Sequence, residues 1–351
     1  MTDAQPLRIA GRAIGPGEPP FVIAELSGNH NKRLDRAMAL IDAAAEAGAD
    51  AVKLQTYTAD TITLDHDGPG FRLDDGLWAG RTLHDLYAEA HTPYAWHAPL
   101  FEHARSRGLI IFSSPFDETA VELLEGLDAP AFKIASFEAT DLPLIARASR
   151  SGRALIISTG MASEAEIVAA RDTALAAGAG GVALLHCVSA YPARFADANV
   201  ATVPWLAERF ECVSGLSDQT PGTAAAVAAV ALGASIIEKH VTLDRAGGGP
   251  DSAFSLEPAE LAALVRDCRA AFDAVGVPGL HRGVEESANR RFRRSLYVVR
   301  DVAAGAVLSG EDVRSIRPGF GLEPARLPEV LGRRAARPLT RGEPVDEAML
   351  A

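Results

Sequence analysis

The chain has 351 residues, of which 48% are hydrophobic and 23% are charged, a composition that suits folded domains and excludes a fibrous or disordered protein. Its formal net charge of −12 argues against nucleic acid as the main partner, because neutralising phosphates requires a basic surface. Three widely spaced cysteines, Cys187, Cys212 and Cys268, fit neither a zinc motif nor a disulfide framework. No long apolar run and no signal-peptide pattern occur, so we expect a cytoplasmic protein with reduced thiols and no membrane partner.

Eight short apolar segments predict buried strands, and segments with helical periodicity separate them. The predicted strands are residues 21–25, 50–54, 109–113, 131–135, 154–158, 181–186, 212–216 and 235–239. The predicted helices are residues 34–47, 94–107, 117–126, 141–151, 163–177, 201–209, 222–232 and 258–274. Strict alternation predicts an α/β protein with a parallel sheet, and eight units match the usual size of a (β/α)₈ TIM barrel. A doubly wound sheet is the alternative, but its glycine-rich phosphate-binding turn is absent.

Two regions depart from this alternation. The connection from Tyr57 to Thr92 is unusually long and rich in aromatic residues, which favours an ordered lid or a dimer contact. Residues 294–351 contain many Gly and Pro turn signals and predict a small β-rich module with a thin core. We therefore predict a barrel over 1–275, a linker over 276–293 and the small module over 294–351.

Polar side chains end every predicted strand, where the active sites of TIM barrels lie. Lys53 and Lys133 sit within apolar strand sequences, and a lysine is rarely buried without a partner. Two lysines pointing into one barrel predict a shared anionic ligand. Pairing with a barrel glutamate such as Glu25 or Glu138 is the alternative.

The order and spacing of nine short motifs resemble the sialic acid synthase family over nearly the whole chain. These motifs lie at residues 21–31, 52–58, 112–117, 133–136, 157–161, 185–187, 215–218, 238–240 and in the carboxy-terminal segment. The resemblance implies a barrel that condenses phosphoenolpyruvate with an amino-sugar aldehyde. It also implies an antifreeze-like (SAF) domain that reaches into the partner's site in a domain-swapped homodimer.

Three sequence segments are similar to the pseudaminic acid synthase branch of that family: Glu-Leu-Ser-Gly-Asn-His-Asn (25–31), Lys-Leu-Gln-Thr-Tyr-Thr (53–58) and Pro-Asp-Ser-Ala-Phe-Ser-Leu-Glu (250–257). The implied acceptor is a 2,4-diacetamido-2,4,6-trideoxy-altrose. An N-acetylneuraminate or legionaminate synthase is the alternative within the family.

The resemblance also implies roles for individual residues. Phosphoenolpyruvate would be held by Lys53, Ser114, Lys133, Ser136, Ser158, Ser189 and Ser217. The sugar would be held by Glu25, Glu138, Tyr191, Asp251 and Arg317, the last coming from the swapped module. The implied catalytic residues are Glu25, Lys53, Lys133, Glu138 and His240. A phosphate with a carboxylate does need two cations and several neutral donors.

The implied metal site is where this chain departs from the family. The resemblance implies two histidine ligands for a divalent ion such as Mn²⁺, Mg²⁺ or Co²⁺. Only one of the two, His240, is present. Gln219 occupies the position at which the family pattern Ser-Asp-His has the other histidine. An amide oxygen is a weaker ligand for softer ions, so we expect a retained but altered metal site. Two other classes of function stay open: a non-catalytic sugar-binding homologue, and an aldolase that uses Lys133 as a Schiff base.

Overall fold

The computed structural model describes residues 6–351. Residues 1–5 lie outside the described residues. The expectation that the amino terminus carries no signal peptide falls partly on these residues. The chain divides into two compact units, Met1–Gly276 and Val277–Ala351. Within residues 6–351, no helix combines the length and the apolar character needed to cross a membrane.

The first unit is a closed barrel of eight parallel strands, β3 to β10, in the order β10-β3-β4-β5-β6-β7-β8-β9. These strands are β3 (Phe21–Glu25), β4 (Ala51–Thr56), β5 (Ile110–Pro115), β6 (Ala131–Ile134), β7 (Ala154–Ser158), β8 (Val182–Cys187), β9 (Val213–Asp218) and β10 (Ile236–His240). The predicted TIM barrel is confirmed, and each predicted strand lies within two residues of the observed one.

Helices separate the strands along the chain. They are α1 (Leu34–Glu46), α2 (Ala59–Ile62), α3 (Leu83–Ala90), α4 (Tyr94–Ser106), α5 (Glu118–Gly126), α6 (Leu142–Ser149), α7 (Glu164–Ala176), α8 (Thr202–Phe210), α9 (Ala224–Ala231) and α10 (Pro258–Val275). Side-chain caps fix several starts. Ser163 and Glu166 form a capping box at α7, and the Asp141 carboxylate accepts a hydrogen bond from the Leu144 amide at α6.

An amino-terminal hairpin, which the sequence did not predict, precedes the barrel. Its strands β1 (Leu7–Ile9) and β2 (Arg12–Ile14) pair antiparallel. Leu7, Ile9 and Ile14 join the apolar cluster formed by inward-facing residues such as Phe21 and Ile156. The interior is therefore apolar toward the amino-terminal ends of the strands, which leaves the carboxyl ends for polar chemistry.

The second unit is a small β-rich module. Strands β11 (Ser295–Val298) and β12 (Val313–Ile316) pair antiparallel, and isolated bridges extend the pairing. Two short helices, α11 (Val284–Ala288) and α12 (Leu327–Val330), belong to this unit. Its core is a separate cluster that includes Leu296, Val313 and Val345, as expected for a module with few residues to bury.

Candidate active site

Strand register places the polar strand ends side by side. Glu25 of β3 is level with Lys53 of β4 on one side and with His240 of β10 on the other. Because side chains alternate along a strand, Glu238 points to the barrel interior, whereas its neighbour Lys239 points outward. Outside the barrel Lys239 donates to the Asp218 carboxylate at 2.7 Å.

Four buried charges form the centre of the site. Lys53 Nζ lies 2.5 Å from Glu25 Oε2 and 3.6 Å from Glu238 Oε1. Lys133 Nζ lies 3.5 Å from the same Glu238 oxygen. The two lysines are 3% and 2% exposed, so water contributes little to their solvation. Each lysine therefore has a glutamate as its nearest acidic partner, Lys53 with Glu25 and Lys133 with Glu238.

The four pKa values follow from burial and this pairing. Burial alone would lower the pKa of Lys53, but attraction to Glu238 and Glu25 outweighs it and raises that pKa. Burial lowers the pKa of Lys133, because one shared carboxylate compensates it only in part. Burial raises the pKa of Glu25, whereas attraction to both lysines overcomes burial and lowers the pKa of Glu238.

Hydroxyl groups surround these charges. Lys53 Nζ donates to Ser114 Oγ at 3.2 Å, and Ser217 Oγ donates to Glu238 Oε1 at 3.2 Å. Ser158 Oγ is buried and has no hydrogen-bond partner within residues 6–351. An unpartnered buried hydroxyl is unfavourable in the free protein, so it is available to a ligand.

Ser136 and Ser189 flank the backbone of Gly160. A Cβ atom at residue 160 would lie 2.5 Å from Ser136 Cβ and 2.7 Å from Ser189 Oγ, so only glycine leaves this space open. The buried thiol of Cys187 lies 4.0 Å from Ser189 Oγ. These two serines therefore form a second group of hydroxyls, at the ends of β6 and β8.

Glu138 follows β6 in a short 3₁₀ turn. Burial raises its pKa to about 7, against an opposing attraction from Lys133. Its Oε2 atom is buried without a hydrogen-bond partner in the part of the chain that the structure describes. The carboxyl group can therefore exchange a proton near neutral pH.

Aromatic side chains form a row on the β10 side of the barrel. The ring centroids of Trp78 and Tyr191 are 5.8 Å apart. The centroid of Phe254 lies 5.3 Å from that of Tyr191 and 5.0 Å from that of His240. Trp78 belongs to the long connection after β4, and its Nε1 donates to Pro250 O at 2.8 Å. The connection is thus bonded to the loop before α10, which carries Asp251.

The donors needed for a metal ion are present only in part. Among residues 6–351, no group of three or more His, Cys, Asp or Glu side chains is arranged to hold a metal. His240 is 8% exposed, burial lowers its pKa to about 4, and its Nδ1 atom lacks a hydrogen-bond partner among the described residues. A neutral, unpartnered imidazole fits a metal ligand. The amide of Gln219 is instead engaged by neighbouring atoms.

Arg317 belongs to the second unit, where it follows β12 and precedes Pro318 across a cis peptide bond. Its predicted contact with the sugar stays a prediction. Glu238 and Trp78 take part in the contacts of the site, although no motif in the sequence indicates a role for either residue. The alternation of Ile236, Glu238 and His240 along β10 could have placed Glu238 inside, but no local signal relates Trp78 to Pro250.

A TIM barrel with paired lysines and glutamates among hydroxyl groups has cations and neutral donors of the kind that suit a small anionic ligand. The chain matches the NeuB family over residues 40–278 and the SAF domain over residues 293–351, and it belongs to the NeuB family.

Two relatives and one solved structure illustrate this membership. The chain is 42% identical to the pseudaminic acid synthase of Campylobacter jejuni over 93% of its length and 96% of that protein. It is 41% identical to the pseudaminic acid synthase of Helicobacter pylori over 93% of its length and 97% of that protein. The crystal structure of the sialic acid synthetase of Leptospira borgpetersenii with citrate aligns with a TM-score of 0.73 at 31% identity, covering 82% of this chain and 95% of that one.

Proposed function

We propose that this chain is a pseudaminic acid synthase. It condenses phosphoenolpyruvate with the open-chain aldehyde of 2,4-diacetamido-2,4,6-trideoxy-β-L-altropyranose, giving a nonulosonic acid and inorganic phosphate. The observation that carries the proposal is the buried pair Lys53 and Lys133 at the carboxyl end of the barrel. Both lysines form ion pairs with glutamates, Lys53 with Glu25 and Glu238 and Lys133 with Glu238. Similarity to pseudaminic acid synthases over nearly the full chain supports the choice of sugar.

Phosphoenolpyruvate binds at the lysines in this proposal. Its phosphate and carboxylate oxygens accept hydrogen bonds from both ammonium groups and from five hydroxyls, those of Ser114, Ser136, Ser158, Ser189 and Ser217. Because the ammonium groups are buried, their attraction to the ligand is weakly screened by water. In the unliganded site Glu25 and Glu238 compensate the two buried cations, and the ligand competes with Glu238 for both lysines.

The reaction forms one carbon–carbon bond, forms one carbon–oxygen bond with water, and breaks the carbon–oxygen bond to phosphate. The methylene carbon of phosphoenolpyruvate attacks the aldehyde carbon, water adds at the carbon that bears the phosphate, and phosphate leaves with its bridging oxygen. The aldehyde oxygen gains a proton, for which the protonated carboxyl group of Glu138 is a suitable donor, since its pKa of about 7 keeps that form populated. Of the two protons of the added water, one restores the Glu138 carboxyl group and the other leaves with phosphate.

The remaining assigned groups orient the sugar. Glu25 is fixed by Lys53 and by the Ser27 backbone amide, which donates to its Oε1 at 3.0 Å. Tyr191 offers an aromatic face and Asp251 a carboxylate, and Arg317 is assigned to the sugar by family resemblance. A divalent cation such as Mn²⁺, Mg²⁺ or Co²⁺, when bound, polarises the aldehyde carbonyl, and His240 would hold it. Gln219 was the second ligand expected from the sequence.

Phosphate release tests this function. We expect release only when phosphoenolpyruvate, the trideoxy-altrose and a divalent ion are all present, and none with a chelator. No release under any ion, with ligand binding confirmed, would identify a non-catalytic homologue. Trapping of a substrate on Lys133 by borohydride would identify a Schiff-base aldolase instead.

We also propose that the protein is a cytoplasmic homodimer. The boundaries proposed for the barrel, linker and SAF module are 1–275, 276–293 and 294–351. The small core of the second unit and the assignment of Arg317 to a sugar support a module that works with a partner copy. Sedimentation should give a dimer, and a fully active monomer would contradict the proposal.

A further inference from the structure

Gln219, the expected second metal ligand, is held by hydrogen bonds along its own strand end. With the amide oriented to suit its neighbours, its nitrogen donates to Ser217 O at 2.8 Å and to Val188 O at 3.3 Å. Its oxygen lies 3.1 Å from Ser217 Oγ, whose single proton is donated to Glu238 Oε1. Rotating the side chain toward an ion would break both hydrogen bonds that its nitrogen donates. These contacts favour a structural role in which Gln219 ties the end of β9 to β8.

A carboxylate stands closer to the orphaned histidine atom. Asp251 Oδ2 lies 3.8 Å from His240 Nδ1, and both side chains are largely buried, 15% and 11% exposed. This distance is too long for a hydrogen bond, yet a single ion with bonds of about 2.0–2.2 Å can touch both atoms. Imidazole nitrogen and carboxylate oxygen together suit Mn²⁺, Co²⁺ or Zn²⁺.

Two hydrogen bonds to backbone carbonyls hold the loop at Asp251. Trp78 Nε1 donates to the carbonyl of Pro250, the preceding residue, at 2.8 Å. Ser255 Oγ donates to the carbonyl of Asp251 itself at 2.7 Å. The carboxylate is therefore presented to His240 by a braced backbone.

We propose that His240 and Asp251 are the protein ligands of the divalent cation in this chain, and that Gln219 is not a ligand. The ion is thus held by one nitrogen and one carboxylate oxygen, and water or substrate oxygens complete its shell. The assignment rests on the proposed function for the presence of an ion. It reassigns Asp251 from the sugar to the metal ion and makes it the residue that compensates for the family's missing histidine.

Metal binding without substrates tests the assignment. Mn²⁺ affinity is measured on the full-length protein by calorimetry and by the electron paramagnetic resonance signal of free Mn²⁺. We expect Asp251→Asn and Asp251→Ala to weaken binding about tenfold or more, and Gln219→Ala to change it by less than about threefold. Asp244→Asn is the matched control, because the Asp244 carboxylate lies earlier in the same loop and caps the Ala246 amide at 2.8 Å.

Thermal melting shows whether each variant is folded, and Asp251→Asn, which preserves shape, serves if Asp251→Ala does not fold. Loss of Mn²⁺ binding in Gln219→Ala with normal binding in Asp251→Asn would overturn the assignment, as would a wild-type protein that binds no Mn²⁺ or Co²⁺. Because no substrate is present, the result is independent of catalytic turnover. An inactive protein that binds Mn²⁺ through Asp251 would refute the proposed function and support the ligand assignment.

Discussion

Lys133 and Glu238 form a buried ion pair inside the barrel, with Nζ 3.5 Å from Oε1. The same carboxylate oxygen lies 3.6 Å from Lys53, so one glutamate serves two cations. Glu238 thus stabilises the empty site and opposes anion binding, since an incoming anion competes with it for both lysines.

Replacing Glu238 by Gln should separate these two effects. We expect the free energy of unfolding to fall by about 3–5 kcal/mol, because both lysines lose a buried counter-ion. We also expect inorganic phosphate to raise the melting temperature of Glu238→Gln more than that of the wild type. Glu125→Gln is the control, because Glu125 pairs with Arg147 at the surface and should contribute at most about 1 kcal/mol. A smaller phosphate-induced shift in Glu238→Gln than in the wild type would contradict the competition.

Lys133→Met should impair the use of phosphoenolpyruvate. Loss of one buried ammonium removes a charge-assisted contact worth about 2–5 kcal/mol, so kcat/KM for phosphoenolpyruvate should fall about 30-fold or more. Lys32→Met, which removes a half-buried lysine that contacts His91, is the control and should keep near-normal kinetics. Steady-state rates at saturating sugar measure both, and unchanged kcat/KM in Lys133→Met would remove the lysine from the anion site.

Glu138 should govern the alkaline limb of the pH profile. Its pKa is raised to about 7, chiefly by burial, so the proton-donating form dominates below pH 7 and disappears as pH rises through that value. We expect kcat/KM to decline above about pH 7, and Glu138→Gln to lose about 10²–10⁴-fold in rate together with this limb. Glu122→Gln, an exposed substitution on α5, should keep the limb. Persistence of the limb in Glu138→Gln would assign it to another group.

Trp78→Phe should affect the sugar and spare phosphoenolpyruvate. The substitution keeps an aromatic ring beside Tyr191 but removes the hydrogen bond to Pro250 O, which braces the loop of Asp251. A net hydrogen bond of about 0.5–1.5 kcal/mol predicts a loss of about 2–12-fold in kcat/KM for the sugar. Trp205→Phe, on the exposed side of α8, is the control, since Trp205 is 43% exposed. An equal loss for both substrates would indicate a general defect instead.

The barrel was predictable because its signal is local and repeated. Strands such as Phe21–Glu25 and Ala154–Ser158 are buried on both faces, so they read as continuous apolar runs between helical segments. The hairpin β1–β2 was missed because three-residue strands have no periodicity of their own. They become strands where Ile9 and Ile14 pack into the end of the barrel.

The burial of Lys53 and Lys133 was predictable from the sequence, but only part of their contacts was. Lys53 and Lys133 drew attention because a lysine within a buried strand needs a partner. Which partner each one finds depends on register around the barrel, and Lys133 pairs with Glu238, 105 positions further along the chain (238 − 133). The bond from Trp78 to Pro250 spans 172 positions and joins two loops, so no spacing rule could reveal it.

The central claim is tested most directly by competition among acceptors. Limiting phosphoenolpyruvate is supplied with equal concentrations of the 2,4-diacetamido-2,4,6-trideoxy-altrose, N-acetylmannosamine and the legionaminic acid precursor, with Mn²⁺ present. Mass spectrometry and nuclear magnetic resonance of the nonulosonic acids then report the ratio of the kcat/KM values. The account predicts pseudaminic acid as the dominant product. Predominance of N-acetylneuraminic or legionaminic acid would contradict it.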